Sequence, residues 1–599
     1  MSMRLKCRLS PDHKRIILYS NYGQKDLIKR ITGRIWDRSQ KVWTIPIERY
    51  DELCRLFPGK LELLDGVEQE YYKRKAVHDH IEKIKRDQIE IEERNIQGVN
   101  TEFFTHQKLG FAFLNSIWDN EGGILAYDMG LGKTLISIGL VIDWFLQGDI
   151  RNCLVVCPAS LKYSAWAKEL KKRTSGYDWV VVDGDPPAAL QKVEFEDGSI
   201  EKFKGVTLRE IQYQQKDRLF IITNYESFVY DQPKGIIPTI DNDWVVVLDE
   251  CHRIKNPEAV TTQNLTNHCK NARKKILLTG TPLENKIEEL WSLVDFCREG
   301  LLGTYPQYRD KYVELDIMGN PIGPRYEKLS ELIDIISPFM FRKRKSETGR
   351  ELPELTIMDY WVDMTKEQKK LYKNLRHGII EKTTGEVSYI TVLAQITRIQ
   401  QLLDSPALLR EVYDDPELPI ESGKLKELPK ILEDIGENKV LIFSQYREMT
   451  DILLWFLTEK LKIHKDKLRY IHGDTKPYRR AEYQDDFLYN NDVKIMLVTT
   501  AGNYGLNLYT AQYIICFDQL FNPQSMNQLI SRVHREGAKD NITVIRLLTK
   551  KSYEEKKLKI LEEKEDLFKA VVENDEEVLK KLLQNNNRKL TANELLNLI

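Results

Sequence analysis

The sequence contains a glycine-rich stretch whose residues could bind polyphosphate. Residues 126–134 read A-Y-D-M-G-L-G-K-T, after a short apolar run and before an apolar helical segment. In a turn that leads into a helix, backbone N–H groups and the positive end of the helix dipole point at phosphate oxygens. Lys133 would reach the terminal phosphates and Thr134 would bind Mg²⁺. Tyr127 stands where the usual pattern has its first glycine, so a chance Gly-Lys-Thr is the alternative, and the flanking strand and helix favour a phosphate-binding loop.

Two neighbouring acidic residues follow another apolar run, W-V-V-V-L-D-E-C-H at 244–252. They would lie at the carboxyl edge of a parallel sheet, where open α/β sheets bind ligands. Asp249 would hold Mg²⁺ and Glu250 would polarise the attacking water, because phosphoryl transfer needs positioned charge rather than covalent chemistry. An ordinary solvated loop is the alternative, and the loop at 126–134 argues against it.

A pair of arginines in Q-L-I-S-R-V-H-R-E-G, residues 528–537, could stabilise charge on a transferring phosphate. Arg532 and Arg535 are three residues apart, so the spacing predicts that they share one helical face. Most helix-surface arginines are simply solvated, so their role depends on the other motifs.

These residues need parallel sheets to position them. Near-continuous apolar runs alternate with helical lengths in two sets, within about 123–282 and 440–549, which predicts an α/β fold with two lobes. The stretch 290–430 is rich in charge, Leu and Tyr, and is predicted to be helical insertions. Residues 1–65 alternate short β-like runs with polar turns, which predicts a small β-rich domain.

The charge of the chain is balanced overall but not locally. Lys and Arg total 90, and Asp and Glu total 91, which by itself disfavours a nucleic-acid partner. Residues 1–50, however, hold 12 basic and 4 acidic residues, a local net charge of +8.

Composition excludes several classes of protein. The hydrophobic fraction of 42% is that of a packed globular chain, not of a disordered or collagen-like one. No apolar run could span a bilayer and no secretion signal is evident. The 8 cysteines show no zinc-site spacing. We therefore expect an unsecreted protein without zinc, cytoplasmic in a prokaryote or virus and nuclear in a eukaryote.

The three motifs, in this order on two α/β lobes, resemble superfamily-two helicase-like ATPases, and specifically the Swi/Snf family of double-stranded DNA translocases. The resemblance covers about residues 100–565. It implies two tandem RecA-like parallel-sheet lobes, and ATP and Mg²⁺ as cofactors. It also implies a monomeric motor that binds duplex or forked DNA independently of sequence, with single-strand-binding or replication and repair proteins as further partners.

The resemblance assigns further residues. The nucleotide is implied to contact Gln107, Asp128, Met129, Gly130, Leu131, Gly132, Lys133, Thr134, Gly505, Arg532 and Arg535. DNA is implied to contact Ser160, Asn224, Tyr225, Ser444, Gln445, Gly473, Thr500, Gly502 and Asn503. Coupling between nucleotide state and DNA grip is implied for His252, Thr279, Thr281 and Gln528. Lys133, Asp249, Glu250, Arg532 and Arg535 are the catalytic set, and Thr134 and Asp249 the metal ligands.

The segment G-R-I-W-D-R-S-Q-K-V-W-T-I-P at 33–46 resembles the HARP-type domain of annealing helicases, which rewind strands at forks. Trp36 and Trp43 could stack on unpaired bases or could form the core of a tiny domain. Both readings can hold, with Trp inside and Lys and Arg outside.

The sequence therefore predicts a DNA-dependent ATPase that remodels DNA or protein–DNA complexes, with strand annealing or fork remodelling as the narrower role. A strand-separating helicase, the motor subunit of a restriction or defence system, and a nucleotide-gated DNA-binding scaffold are the alternatives. The tail is predicted to be amphipathic and to dock on the second lobe, with a partner-binding helix as the alternative. The predicted domains are 1–65 (HARP-like), 66–99 (charged linker helix), 100–300 (lobe one), 301–425 (helical insertions), 426–565 (lobe two) and 566–599 (helical tail).

Overall fold

The computed structural model describes residues 4–64, 66–89, 96–182, 190–194, 200–204, 218–283, 286–315, 319, 321–349, 353–382, 389–499, 506, 508–520, 522–535, 537–573 and 575–584. Two compact units are present. The first comprises the described residues within 1–348 and 570–586, and the second those within 349–569. Among the described residues, no helix is both long and apolar enough to cross a bilayer.

The first unit begins with a five-stranded sheet, which confirms the predicted β-rich domain. Its strands are β1 (Leu5–Leu9), β2 (Arg15–Tyr19), β3 (Ile35–Asp37), β4 (Val42–Pro46) and β5 (Leu61–Leu63). Their order is β3-β4-β2-β1-β5, with β1 and β5 parallel and the other pairs antiparallel. Every second residue of β1 is buried, because side chains alternate between the faces of a strand.

A seven-stranded parallel sheet forms the centre of the first unit. The remaining strands of this unit are β6 (Glu121–Tyr127), β7 (Asn152–Cys157), β8 (Asp178–Val181), β9 (Leu190–Glu194), β10 (Ile200–Lys204), β11 (Leu219–Asn224), β12 (Trp244–Asp249), β13 (Lys274–Leu278), β14 (Val313–Leu315), β15 (Pro321–Pro324) and β16 (Met340–Lys343). The order of the large sheet is β16-β6-β13-β12-β7-β11-β8. The other four strands form two separate antiparallel pairs.

Helices lie between these strands. In the first unit they are Lys25–Ile28, Tyr50–Leu56, Val67–Lys85, Thr105–Asn115, Lys133–Gln147, Lys168–Arg173, Tyr225–Asp231, Val260–His268, Glu289–Cys297, Tyr305–Tyr312, Leu329–Ile336 and Glu576–Gln584. The strands β6, β7, β11 and β12 are wholly or almost wholly buried, as parallel strands covered on both faces must be.

The second unit is built on a six-stranded parallel sheet. Its strands are β17 (Leu355–Val362), β18 (Val440–Phe443), β19 (Leu468–Ile471), β20 (Ile495–Val498), β21 (Tyr513–Cys516) and β22 (Ile542–Thr549), in the order β17-β22-β21-β18-β20-β19. Its helices are Lys366–Lys382, Tyr389–Asp404, Arg410–Tyr413, Gly423–Ile435, Arg447–Trp455, Pro477–Tyr489, Pro523–Val533 and Tyr553–Val572. The predicted α/β class with two RecA-like parallel-sheet lobes is confirmed.

Two expectations were wrong in detail. The stretch 301–425, predicted as helical insertions, also contributes β16 to the first sheet and β17 to the second. Both are edge strands that carry polar or exposed residues, so they lack the apolar run by which the inner strands were recognised. The described residues from 570 onward group with the first unit, not with the second lobe. Thr591 and Glu594 form a capping-box pattern that predicts a last short helix, but both lie outside the described residues.

Candidate functional site

The glycine-rich stretch forms a turn between β6 and the helix Lys133–Gln147. Gly130 and Gly132 have φ of +87° and +79°, a backbone region that favours glycine. A Cβ at Gly132 would lie 2.2 Å from Gln107 Nε2. Tyr127 is the buried last residue of β6, and its hydroxyl donates to the carbonyl of His106 at 2.8 Å. The position without glycine therefore belongs to the strand, and the turn keeps the two glycines that it needs.

Lys133 is the first residue of the helix and its side chain is buried in the loop. Nζ donates to the carbonyl of Tyr127 at 2.7 Å and to that of Asp128 at 3.3 Å. Burial lowers the pKa of Lys133, and the nearby carboxylates of Glu250 and Asp249 oppose that shift. A cation thus lies within the loop, where phosphate oxygens would be bound.

The acidic pair lies at the carboxyl end of β12, as predicted. Trp166 Nε1 donates to Asp249 Oδ2 at 2.8 Å, and the backbone N–H of Glu250 donates to Oδ1 at 3.0 Å. Burial, and then the charge of Glu250, raise the pKa of Asp249 to about 6. No local sequence pattern points to Trp166, which comes from a different strand–helix connection and meets Asp249 only through the fold.

Glu250 adopts a left-handed backbone with φ of +51°, which is uncommon for a residue with a side chain and typical of functional sites. His252 Nδ1 lies 3.3 Å from Glu250 Oε2. The predicted coupling residues Thr279 and Thr281 are buried where β13 ends, and the backbone N–H of Thr281 donates to Thr279 Oγ1 at 2.9 Å. The structure thus brings Glu250 and His252 of the acidic motif into contact.

Gln107 lies beneath the loop near the start of the helix Thr105–Asn115. Its Oε1 accepts from the backbone N–H of Phe104 at 3.0 Å, and its Nε2 is 3.4 Å from the carbonyl of Leu131. The ring of Phe104 is 53% exposed and stacks on His106 with 5.9 Å between the centroids. An exposed aromatic ring beside an amide could accept a nucleotide base, although the Gln107 amide is itself buried.

The side chain of Asp128, a predicted nucleotide contact, has partners within the chain. Arg342 Nη2 donates to Asp128 Oδ1 at 2.6 Å, and the backbone N–H of Lys345 donates to Oδ2 at 3.0 Å. Both carboxylate oxygens are thus engaged with the chain, and a carboxylate would repel phosphate. The Asp128 side chain therefore helps to shape the loop, and its contact with a nucleotide stays a prediction.

The donors around the loop fit a magnesium–nucleotide complex. Thr134 and Asp249 offer a hydroxyl and a carboxylate, the hard oxygen ligands that Mg²⁺ accepts when substrate phosphates and water complete its shell. Within the described residues, no three His, Cys, Asp or Glu side chains are grouped to hold a metal by themselves.

Two of the predicted DNA-contact residues in the first unit lie at strand ends, one exposed and one buried. Ser160 is exposed in the turn after β7, and Asn224 ends β11, where it bonds to Glu226 and Ser227. Tyr225 differs, because its side chain is only 2% exposed and its hydroxyl donates to the carbonyl of Asp249 at 2.8 Å. The predicted DNA contact by Tyr225 is therefore wrong for its side chain, which supports the acidic pair instead.

In the second unit the predicted DNA-contact residues also follow strands. Ser444 is buried after β18 and its hydroxyl donates to Asp518 Oδ2 at 2.5 Å, so its side chain is committed internally. The backbone N–H of Gln445 is 3.1 Å from both oxygens of Asp518, and Gly473 is exposed after β19. Asp518 was missed by sequence reasoning. Thr500, Gly502, Asn503 and Gly505 lie outside the described residues.

The arginine pair is less regular than predicted. The helix Pro523–Val533 contains Gln528 and Arg532 but ends before Arg535. Arg535 lies in the bend that follows, so the prediction that both arginines share one helical face was wrong. The backbone turn after Val533, rather than helical periodicity, sets the direction of Arg535.

Family comparisons agree with this arrangement. A model of the SNF2-related domain matches residues 106–418, more than half of the chain, and one of the helicase conserved C-terminal domain matches 423–537. The chain belongs to the SNF2-related family. The predicted membership of the Swi/Snf helicase-like ATPases is therefore confirmed.

Among relatives of this SNF2-related chain, the Protein CHROMATIN REMODELING 5 of Arabidopsis thaliana is 30% identical over 78% of the chain and 27% of its own length. The ISWI chromatin-remodeling complex ATPase ISW1 of Saccharomyces cerevisiae is 27% identical over 81% of the chain and 42% of its own length. Among solved structures, the Sulfolobus solfataricus SWI2/SNF2 ATPase core in complex with dsDNA is 26% identical. The match covers 85% of this chain and 99% of that chain, with a TM-score of 0.36. The chain thus spans less than half the length of the Arabidopsis thaliana and Saccharomyces cerevisiae relatives.

Proposed function

We propose that the chain is an ATP- and Mg²⁺-dependent translocase on duplex DNA. The observation that carries the proposal is the arrangement of Lys133, Asp249 and Glu250, which are buried together at the carboxyl edge of one parallel sheet. Buried ionisable groups with shifted pKa values beside a helix N-terminus are typical of a phosphoryl-transfer site. Membership of the SNF2-related family supports the same activity.

Bound ATP with Mg²⁺ would supply the phosphoryl group and the charge that activates it. The residues of this chain would do the rest by position. Lys133 would neutralise the terminal phosphates, while Thr134 and Asp249 would hold the metal. Glu250 would orient and polarise the attacking water, with His252 keeping the carboxylate in place.

Arg532 and Arg535 would stabilise the charge that develops on the transferring phosphate. Such an interaction is made mainly in the transition state, so we expect Arg532→Ala and Arg535→Ala to lower kcat by at least about tenfold and to leave the affinity for ATP nearly unchanged. Steady-state kinetics with a fluorescent-nucleotide titration would measure both. An arginine variant that weakened only ATP binding would contradict this role.

The DNA would be held through its backbone. Serine, asparagine, glutamine and glycine residues at strand ends suit phosphate contacts, which do not depend on sequence. We therefore expect sequence-independent affinity for DNA that falls steeply with salt. The named chromatin-remodelling relatives are consistent with a DNA substrate.

Movement along duplex can be tested by displacement of a third strand. We expect the protein with ATP to release a triplex-forming oligonucleotide from duplex DNA, and Lys133→Ala to release none. Release by a strand-separating helicase would instead require a fork and would leave single strands. A nucleotide-gated scaffold would bind DNA with no turnover, and a restriction-system motor would move only with its partner subunits.

We further propose that the N-terminal domain directs the motor to junctions of single- and double-stranded DNA. Tyr22 is 87% and Trp36 36% exposed, and Lys25 Nζ lies 5.0 Å and 5.9 Å from their ring centroids. Trp43 is packed against the domain core with its ring 5.1 Å from that of Trp36. Exposed rings beside a cation can stack on unpaired bases while the charge attracts phosphate.

Point variants test this role better than removal of the domain, because truncation would expose buried charges of the first unit. We expect Tyr22→Ala combined with Trp36→Ala to reduce the preference of ATPase stimulation for forked over plain duplex DNA. Tyr489→Ala, at an exposed tyrosine of the second unit, is the matched control. An unchanged fork preference in the double variant would remove the support for a HARP-like role.

A further inference from the structure

The start of the phosphate-binding loop is held by a strand that its own motif does not include. Strand β16 pairs in parallel with β6, with Arg342 opposite Ala126 and Lys343 opposite Tyr127. The backbone N–H of Asp128 donates to the carbonyl of Lys343 at 3.0 Å. The chain that leaves β16 therefore runs beside the chain that enters the loop.

The guanidinium of Arg342 joins three parts of the site. Nη1 donates to the carbonyl of Ala126 at 2.8 Å and lies 3.5 Å from that of Gly280 in the T-G-T-P turn. Nη2 donates to Asp128 Oδ1 at 2.6 Å. A planar guanidinium holds several acceptors in one rigid geometry, whereas the three N–H donors of an ammonium rotate freely about its stem.

The guanidinium of Arg342 also contacts the C-terminal segment, through Glu573. Glu573 Oε1 lies 3.6 Å from Arg342 Nη2, and its other oxygen forms a close ion pair with Arg344. The side chains of Arg342 and Glu573 are only 12% and 8% exposed, so solvent screens these charges weakly. Arg342 thus pairs with Glu573 on one side and with Asp128 of the loop on the other, so the three side chains form one ion-pair network.

We propose that Arg342 is a positioning residue for the ATPase reaction, which holds the phosphate-binding loop through Asp128 and the T-G-T-P turn through Gly280. Glu573 fixes the guanidinium from the C-terminal segment and so makes the shape of the loop depend on that segment. The inference rests on the proposed ATPase function, since Arg342 acts on nucleotide only through these residues.

The consequence is a specific pattern of kinetics. The loop would cradle the phosphates in the ground state and in the transition state alike, so a displaced loop weakens both. We expect Arg342→Gln to reduce kcat/KM for ATP by about tenfold to a hundredfold, mostly through KM, since displacement of a site by about 1 Å has effects of that size. Arg342→Lys keeps the charge without the fork and should recover only part of the loss.

The experiment compares full-length variants in an ATPase assay and in a titration with a fluorescent ADP analogue. Asp128→Asn should repeat the effect of Arg342→Gln, and Glu573→Gln should give a smaller change in the same direction. Effects of Arg342→Lys and Glu573→Gln should be non-additive, because the two side chains interact. Lys328→Gln, at an exposed lysine of the first unit that pairs only distantly with Glu331 at 4.0 Å, is the control.

Two results would overturn the inference. One is an unchanged KM and analogue affinity in both Arg342→Lys and Asp128→Asn, with only a lowered unfolding midpoint. The other is strictly additive effects of the Arg342 and Glu573 variants, which would remove the link to the C-terminal segment. Failure of the proposed function would look different, because the unaltered protein itself would then neither bind the analogue nor hydrolyse ATP.

Discussion

At the scale of single residues, the fold places a tryptophan where it decides how Asp249 is held. Trp166 is fully buried and donates its indole N–H to Asp249 Oδ2 at 2.8 Å. A hydrogen bond to the ionised form favours ionisation, and Mg²⁺ needs the ionised carboxylate. If Asp249 holds Mg²⁺ as proposed, Trp166 would support metal binding without touching the metal.

We expect Trp166→Phe to raise the concentration of Mg²⁺ that half-saturates ATP hydrolysis, because the carboxylate loses a buried donor. Loss of such a donor is also expected to lower the free energy of unfolding by about 1–3 kcal/mol. Trp144→Phe is a matched control, since Trp144 donates to Asn115 Oδ1 at 3.0 Å in the same unit. An identical Mg²⁺ dependence in the two variants would show that Trp166 is only structural.

The motif residues themselves could be predicted from the sequence, but their partners could not. Lys133, Asp249 and Glu250 could be predicted because each lies in a short stretch where a characteristic residue type directly follows a strand pattern. Trp166 and Arg342 carry no local signal, since each meets the site from a distant part of the chain. For Tyr225 the motif predicts a contact with DNA, but the side chain is buried and its hydroxyl donates to the carbonyl of Asp249.

At the scale of elements, a buried charge cluster ties three helices to the sheet of the second unit. Lys424 Nζ lies 2.8 Å from Asp404 Oδ1 and 2.6 Å from Glu554 Oε1, and donates to the carbonyl of Phe517 at 2.8 Å. Burial alone would lower the pKa of Lys424, but the two carboxylates outweigh it and raise that pKa. The residue after Phe517 is Asp518, which holds the backbone of Gln445.

We expect Lys424→Met to lower the free energy of unfolding of the second unit by about 3–5 kcal/mol, because it leaves two buried carboxylates without their cation. Lys426→Met, at an exposed position two residues away, should change it by less than about 1 kcal/mol. Chemical denaturation followed by circular dichroism would measure both. Equal effects of the two variants would contradict the account of the cluster.

The inner strands could be predicted because parallel strands covered on both faces are nearly continuous apolar runs. The edge strands β16 and β17 could not, since solvent contact relaxes that requirement. These two strands, M-F-R-K and L-T-I-M-D-Y-W-V, contain charged residues that make specific contacts. Arg342 of β16 pairs with Asp128, and Asp359 of β17 pairs with Arg546. The polar residues that interrupt the apolar pattern of these strands are therefore the ones that bind neighbouring elements.

At the scale of the whole first unit, the N-terminal sheet is fastened to the seven-stranded sheet by buried ion pairs. Glu121 is fully buried at the start of β6, 2.8 Å from Arg74 Nη1 and 3.1 Å from Arg298 Nε. Arg298 Nη2 also lies 3.2 Å from Glu48 of the N-terminal domain. The local net charge of +8 therefore belongs to a domain with a fixed position in this unit.

We expect Glu121→Gln to lower the free energy of unfolding of the first unit by about 3–5 kcal/mol, because two buried guanidinium groups lose one of the two carboxylates that they share. Glu62→Gln, in the exposed pair with Lys6, should have an effect near zero. Thermal unfolding of the full-length protein would compare them. Equal midpoints would show that the ion pairs do not hold the domain.

The pH dependence of this fastening follows from Glu48. Burial would raise its pKa, but Arg298 and Arg74 outweigh burial and hold the pKa below its ordinary value. The stabilisation is then present above the pKa of the unfolded chain, about 4.3, and is lost as the pH falls below it. Glu48→Gln should make the unfolding midpoint less sensitive to pH in that range.

The buried site of the first unit is proposed to hydrolyse ATP in response to DNA. The most direct measurement is the rate of ATP hydrolysis with and without duplex DNA, for the unaltered protein, for Glu250→Gln and for the exposed control Glu258→Gln. We predict stimulation by DNA in the unaltered protein and the control, and no hydrolysis in Glu250→Gln although it still binds a fluorescent ATP analogue. An undiminished DNA-stimulated rate in Glu250→Gln would contradict the account.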